Sequence, residues 1–383
     1  MRSERDLFAT VGMAMAPAVG AALLARVHLR EVARYTHWSS SSVANAQIVF
    51  VALGCAVGAA LALLGPPRLF MAARWVLALT FAGLVVTLGQ RDMVHARVAG
   101  LVITPTEFAK AGLLVAVAGA LAAEGKTRNV GLAATAIVLL MVGARDVMTF
   151  VVVLSAGLAA AWIAVPRTPR FAAPLAVVVG IGVAVVGFGA WWLRPYQVDR
   201  LSTWLDGGDP RSSGWIYAQV RAALGASGLA GTGAYPKFAD VFEHNDLGLV
   251  DLGARFGFGA VVLVLAVHVG IVLFCLHAAV RAEERFGAAL AAGTAITFAW
   301  HGVGNAAMVA GLLPIVNLRL GLVSYGGSSV VALLALLGAT TGVALRAGEP
   351  DETRKARVHG LRLAFLAVTL LVVVRLGFLM SSG

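Results

Sequence analysis

The chain has 383 residues, 60% of them hydrophobic and only 13% charged, with a formal net charge of +11. A soluble globular chain carries about 25% charged residues, so these proportions exclude a water-soluble domain and point to an integral membrane protein. The excess of Lys and Arg does not signal nucleic acid, because the basic residues sit mainly in short loops between apolar runs, where they set orientation in a bilayer.

A membrane-spanning helix takes about 20 apolar residues, and on that rule eleven spans are expected. They run near Phe8–Val27, Val43–Gly65, Arg74–Gly89, Thr106–Ala123, Val130–Ala144, Val147–Val165 and Ala172–Leu193. After a long interruption come Leu247–Val280, Phe286–Leu313, Leu322–Leu345 and Leu361–Met380. Arg2 and Arg5 before the first run mimic a secretory signal, but with ten further spans behind it an uncleaved first helix is expected. Cys55 and Cys275 lie inside apolar runs and read as packed thiols, without disulfide or metal spacing. No β pattern and no tandem repeat stands out.

The interruption between Arg194 and Asp246 is roughly 50 residues long, well above ordinary loop length. It carries Arg200, Asp206, Asp209, Arg211, Arg221, Lys237, Glu243 and Asp246, and its acids slightly outnumber its bases, which again argues against nucleic acid. Basic residues in the short loops favour a cytoplasmic N-terminus, with only Arg26, Arg30 and Arg34 of the first loop opposing it. Counting spans then puts Thr104–Lys110, Asp146, the long loop and Pro314–Ser329 on one extracytoplasmic face.

Each polar group there admits a structural and a functional reading. Asp246 sits where the eighth span begins, as a helix cap or as a general base taking a proton from a sugar hydroxyl; Asn245 is a rival for the cap. Glu107 and Lys110, spaced i,i+3, pair on one helix face, either to hold helices together or as an intramembrane functional pair. Asp251 and Arg255, spaced i,i+4, neutralise each other or tune Asp246. The glycine-rich run Gly225–Gly233 is a flexible turn region or a backbone cradle for phosphate. His301 and Asn305 bond to neighbouring helices, and no zinc spacing is present.

Taken together, Pro105-Thr106-Glu107-Phe108-Ala109-Lys110, Asp146 with Thr149, Tyr196-Gln197, Asp199-Arg200-Leu201, the glycine-rich run, His244-Asn245-Asp246, Gly257-Phe258, Asn305, Gly311-Leu312-Leu313-Pro314 and Ser324-Tyr325-Gly326-Gly327-Ser328-Ser329 occur in the order of one family. From Leu7 to Leu345 the chain resembles the SEDS proteins (RodA, FtsW and SpoVE), peptidoglycan glycosyltransferases of cell shape, division and sporulation. The resemblance implies an all-α bundle of ten transmembrane helices with a large extracytoplasmic loop between spans seven and eight. It implies a family-like domain over residues 1–346; the charged cytoplasmic linker and additional helix expected over 347–383, which hold the eleventh span, are extra to the family. The family's essential aspartate falls on Asp246, its span-four Glu and Lys on Glu107 and Lys110, and its loop arginine on Arg200. Further substrate contacts are expected at Tyr196, Gln197, Ser324, Gly326 and Gly327, with support from Asp251, Arg255, Asp146 and Asn305. The sequence departs from the family's pattern where a Glu-Glu pair is usual before Gly257, here Ala254-Arg255. It departs again after Pro314, where Val316-Asn317, Arg319 and Gly321 replace the usual Thr-Gly and two later prolines.

The expected activity is polymerisation of lipid II, or another undecaprenyl-pyrophosphate-linked substrate, at the outer face of the bacterial cytoplasmic membrane beside a class B penicillin-binding protein. The departing pyrophosphate needs positive charge, from Arg200 and Lys110 or from a divalent cation, magnesium or manganese, bound with Asp246. A flippase of lipid-linked precursors and a non-catalytic scaffold for the penicillin-binding protein are the alternatives.

Overall fold

The computed structural model describes Gly20 and residues 40–88, 96–98, 101–143, 146–165, 195–209, 214–233, 246–324 and 326–381. Eight of its helices are long and apolar enough to cross a membrane. The seventh expected span, and the first apart from Gly20, lie outside the described residues. The second and third are continuous as α1 (Ser40–Leu88), with a break at Gly65 between them. The others follow the sequence reading: α2 (Pro105–Ala122), α3 (Gly125–Gly143), α4 (Val147–Ala164), α7 (Gly248–Arg281), α8 (Arg285–Val309), α9 (Gly327–Leu345) and α10 (Glu352–Ser381).

Two departures from that reading concern the connections. A short antiparallel hairpin, β1 (Ala96–Val98) with β2 (Leu101–Ile103), precedes α2 where no strand was expected; three-residue strands are too short to leave an alternating pattern. Within its described residues the long interruption holds the amphipathic helix α5 (Pro195–Asp206) and α6 (Trp215–Ser227). Both dock on the start of the segment after α8. Trp204 Nε1 donates to the Gly311 carbonyl at 3.1 Å, and the Tyr217 hydroxyl accepts from the Ile315 amide at 2.9 Å.

Three of the membrane helices are interrupted, and each interruption has its own compensation. In α1, Gly65 takes φ 73° and is followed by Pro66 and Pro67, whose missing amides would have bonded Ala62 and Leu63. Arg346 fills both places, donating from Nη1 to the Ala62 carbonyl at 2.9 Å and from Nη2 to that of Leu63 at 3.0 Å. In α7 the break is at Gly257, φ 77°, about 14 Å along the helix from its start. There the glycine-rich run crosses the helix: the amides of Thr232 and Gly233 bond the carbonyls of Ala254 and Arg255 at 2.8 and 3.1 Å, and Phe258 N–H bonds Leu229 O at 2.9 Å. A Cβ at Gly231 would stand 2.6 Å from the Arg255 carbonyl oxygen, so backbone must lie on backbone. Those two amides are committed to the helix break, which gives the run a structural part. In α8, residues Trp300–Gly304 widen into a π turn.

The charged stretch that leads into α10 and forms its first turns is joined to the bundle rather than trailing from it. Arg354 Nη1 donates to Ala282 O, and Arg357 Nη1 donates to the Trp162 and Val165 carbonyls at 2.9 and 2.8 Å, covering the C-terminal end of α4. Gly348 and Asp351 amides bond Arg281 and Val280. The end of the bundle carrying the Gly65 break and the C-termini of α4 and α7 is thus fastened by residues 346–357.

Candidate active site

The opposite end gathers the expected polar residues. It is built on Gly311–Ser324, a segment with Ile315, Leu318, Leu320, Leu322 and Val323 all buried. The π turn pins this segment in place. His301 Nδ1 lies 2.9 Å from the Arg319 carbonyl, Gly321 N–H donates to His301 O at 3.1 Å, and Asn305 Nδ2 donates to Leu318 O at 2.6 Å. The same Asn305 nitrogen donates to Asp246 O at 2.7 Å, so one amide holds both the start of α7 and the buried segment.

Asp246 does not cap α7. Leu247 occupies the N-cap position without any side-chain bond, and Asp246 Oδ1 is buried with no hydrogen-bond partner. Asn245, the rival for that cap, lies outside the described residues. Burial pushes the half-buried Asp246 carboxyl up to about 6; Arg319 and Arg200 pull against that shift, while Glu107 and Asp146 add to it. These four groups come from four separate elements, which is the convergence expected from counting spans.

Glu107 and Lys110 pair as expected, Nζ to Oε2 at 2.8 Å, and both side chains are buried. Lys110 Nζ also reaches His301 Nε2 at 3.3 Å. An ammonium can only donate and a carbonyl can only accept, so the partners assign His301 as neutral, with its proton on Nδ1 facing Arg319 O. Asp146 caps α4, accepting from Thr149 N at 2.9 Å and Thr149 Oγ1 at 2.7 Å.

The remaining candidates divide. Ser324 is buried and its Oγ accepts from Leu320 N at 3.2 Å, a bond that shapes the segment. Gly326 is the N-cap of α9, and Gly327 lies flat against the Phe50 ring of α1. Arg200 sits on α5, while the side chains of Tyr196 and Gln197 in its first turn lie outside those described. Asp251 is buried one turn into α7, and the Arg255 guanidinium covers the Phe256 ring at 4.9 Å.

Arg319 is the residue the sequence reading passed over. It stands in the sequence reading only as a departure from the family's pattern, yet it is 7% exposed and acts on both Asp246 and Glu107. The available signal was a single Arg in the apolar run Leu318-Arg319-Leu320, since charge in such a setting rarely lacks a role.

Residues 7–347 match the family described as Cell cycle protein, FtsW/RodA/SpoVE. The chain is 33% identical to the "Peptidoglycan glycosyltransferase MrdB" of Escherichia coli K12 over 171 residues, a stretch covering 41% of this chain and 46% of that protein. The chain therefore spans about half the length of that relative. It is 28% identical to the "Probable peptidoglycan glycosyltransferase FtsW" of Trichlorobacter lovleyi over 312 residues, 76% of this chain and 81% of that one. Among solved structures, a chain of a peptidoglycan synthase complex superposes with a TM-score of 0.69 at 23% identity, covering 88% of this chain and 97% of that chain. The rod shape determining protein RodA of Thermus thermophilus superposes at 0.59 with 20% identity, over 90% and 98%. These structures share the fold of this bundle. With the family match spanning all but the last expected span, the chain belongs to the FtsW/RodA/SpoVE family.

Proposed function

We propose that the protein is a glycosyltransferase that polymerises lipid II, or a similar undecaprenyl-pyrophosphate-linked saccharide, at the outer face of the bacterial cytoplasmic membrane, with its N-terminus inside. The observation carrying this reading is Asp246: a carboxyl with an unbonded buried oxygen, beside two arginines and next to an ion pair, at the end of the bundle away from the basic 346–357 clamp. Family membership and the activity named for its relatives support it. Asp246 takes the proton of the acceptor hydroxyl as that oxygen attacks the anomeric carbon, a role worth roughly 10²–10⁴-fold in rate. Arg200 and Lys110 supply positive charge to the departing pyrophosphate, and Glu107 holds Lys110 in place. Among the described residues no three His, Cys, Asp or Glu gather as a protein-only metal site. A magnesium or manganese ion would be held by Asp246 together with substrate phosphates, as magnesium commonly is.

A class B penicillin-binding protein is the partner this reading expects, supplying crosslinking. The test is incubation of the purified protein with lipid II, alone and with that partner, resolving glycan strands on a gel. Polymer from the wild type and none from Asp246→Ala or Asp246→Asn, at equal protein level, is the expected result. Normal polymer from either variant ends the assignment. The same experiment separates the alternatives: a flippase moves lipid II across proteoliposomes without making polymer, and a scaffold keeps its cellular function in Asp246→Ala.

A further inference from the structure

We propose that Arg319 and the first turn of α9 form the subsite for the diphosphate group of the lipid-linked donor. This rests on the glycosyl-transfer reading above, and it assigns the leaving group's partner to a residue outside the family's motifs. Arg319 is always charged, is 7% exposed, and among the described residues its Nε has no hydrogen-bond partner. Among the described residues no carboxylate forms an ion pair with it; it feels the charges of Asp246 and Glu107, and Glu107 is already bonded to Lys110 at 2.8 Å. A buried guanidinium left in that state costs several kcal/mol.

Its surroundings are the second observation. A Cβ at Gly326 would stand 2.9 Å from Arg319 Nη1, so the guanidinium lies against the N-cap of a 19-residue helix that no side chain caps. The free amides of a first helical turn carry partial positive charge. Two positive ends packed together away from water call for a shared anion, and a guanidinium fork with helix amides is the donor set that phosphate oxygens take. Unbonded hydroxyls are close by in the fold. Ser329 Oγ in that first turn and Thr106 Oγ1 in the first turn of α2 are both buried without partners. The two turns are tied together by Thr104 N–H bonding Ser328 Oγ at 3.0 Å.

Shared attachment to Asn305 sets this subsite beside Asp246. In the transfer, the acceptor oxygen gives its proton to Asp246 and forms the new bond to the anomeric carbon. The bond from that carbon to the diphosphate oxygen breaks, and its electron pair leaves on the diphosphate. Arg319 and the α9 amides receive the added negative charge.

The test measures binding to the full chain in nanodiscs of three lipids with one tail: a diphosphate-linked saccharide, undecaprenyl monophosphate and uncharged undecaprenol. Arg319→Gln is expected to weaken the diphosphate lipid about 10- to 100-fold and leave undecaprenol unchanged. Ser329→Ala is expected to weaken the diphosphate lipid about 3- to 10-fold. Inorganic pyrophosphate should compete for the wild type, which separates the phosphate chemistry from the lipid carrying it. Unchanged diphosphate affinity in Arg319→Gln, or an equal loss for undecaprenol, overturns the proposal. So does an Arg319→Gln variant in which only the pH profile of polymerisation moves, because Arg319 is then a counter-ion to Asp246. If Arg319→Gln fails to fold, Ser329→Ala and the competition decide, and no competition in the wild type overturns the subsite. A wild type that binds the diphosphate lipid but makes no polymer sinks the transfer reading alone. A wild type that polymerises while Arg319→Gln binds normally sinks the subsite alone.

Discussion

A carboxyl raised to about 6 does two things at once at Asp246. In its proposed role as a base it works only when ionised, so polymer formation should fall about tenfold per pH unit as pH drops below about 6, as read from initial rates between pH 4.5 and 8. As a buried acid it also bears on stability, with the opposite sense of pH. Its unfolded value is near 3.8, so between roughly 4 and 6 the folded chain binds the extra proton, and stability declines as pH rises through that window and stays lower above it. The burden is at most about 3 kcal/mol. Asp246→Asn should therefore raise the unfolding temperature at pH 7.5 and lose that advantage near pH 4, while polymer is absent. The Glu107–Lys110 pair behaves differently because each member justifies the burial of the other. Glu107→Gln should cost about 3–5 kcal/mol, and the double variant Glu107→Gln/Lys110→Met clearly less, both read from thermal unfolding in detergent. These two residues were legible as a pair from i,i+3 spacing. Arg319 was not, because its partners come from α2, α8 and α9, and no local spacing announces contacts between distant segments.

Among the elements, the spans were readable because length and apolarity are local properties; the interruptions that aim them were readable only in part. Gly65-Pro66-Pro67 advertises a broken helix. That Arg346, far along the chain, takes over the two lost amide positions does not show until α1 and α9 are packed. Arg346→Met should cost about 1–2 kcal/mol, since one part-buried and one exposed carbonyl at the helix break lose charged donors, and Arg346→Lys should recover less than half because an ammonium lacks the fork. Thermal unfolding of the three proteins checks this. Gly257 shows a similar division. Its residue type suggested a turn, whereas the role of Gly228–Gly233 as the backbone bridge across that turn depends on tertiary contact. The sequence reading treated α5 and α6 as loop because both are too short to span a membrane and lie in a charged interruption, although the 3.6-residue periodicity of α5 was present.

For the molecule as a whole, parity of span number was enough to gather Glu107, Asp146, Arg200 and Asp246 at one end, since topology constrains ends more strongly than it constrains angles. It could not show that the end of α9 and the first turns of α10 fasten α1, α4 and α7 at the far end, as those bonds run from side chains to carbonyls that helix rules leave unassigned. The supplementary C-terminal helix is thereby integral to the bundle.

Asn305 places one nitrogen between the carbonyls of Asp246 and Leu318, the residue before Arg319. Carboxyl and guanidinium accordingly share a rivet. In the proposed transfer this would keep attack and departure aligned, and a lesion at this amide would decouple the halves of the reaction without touching either reagent.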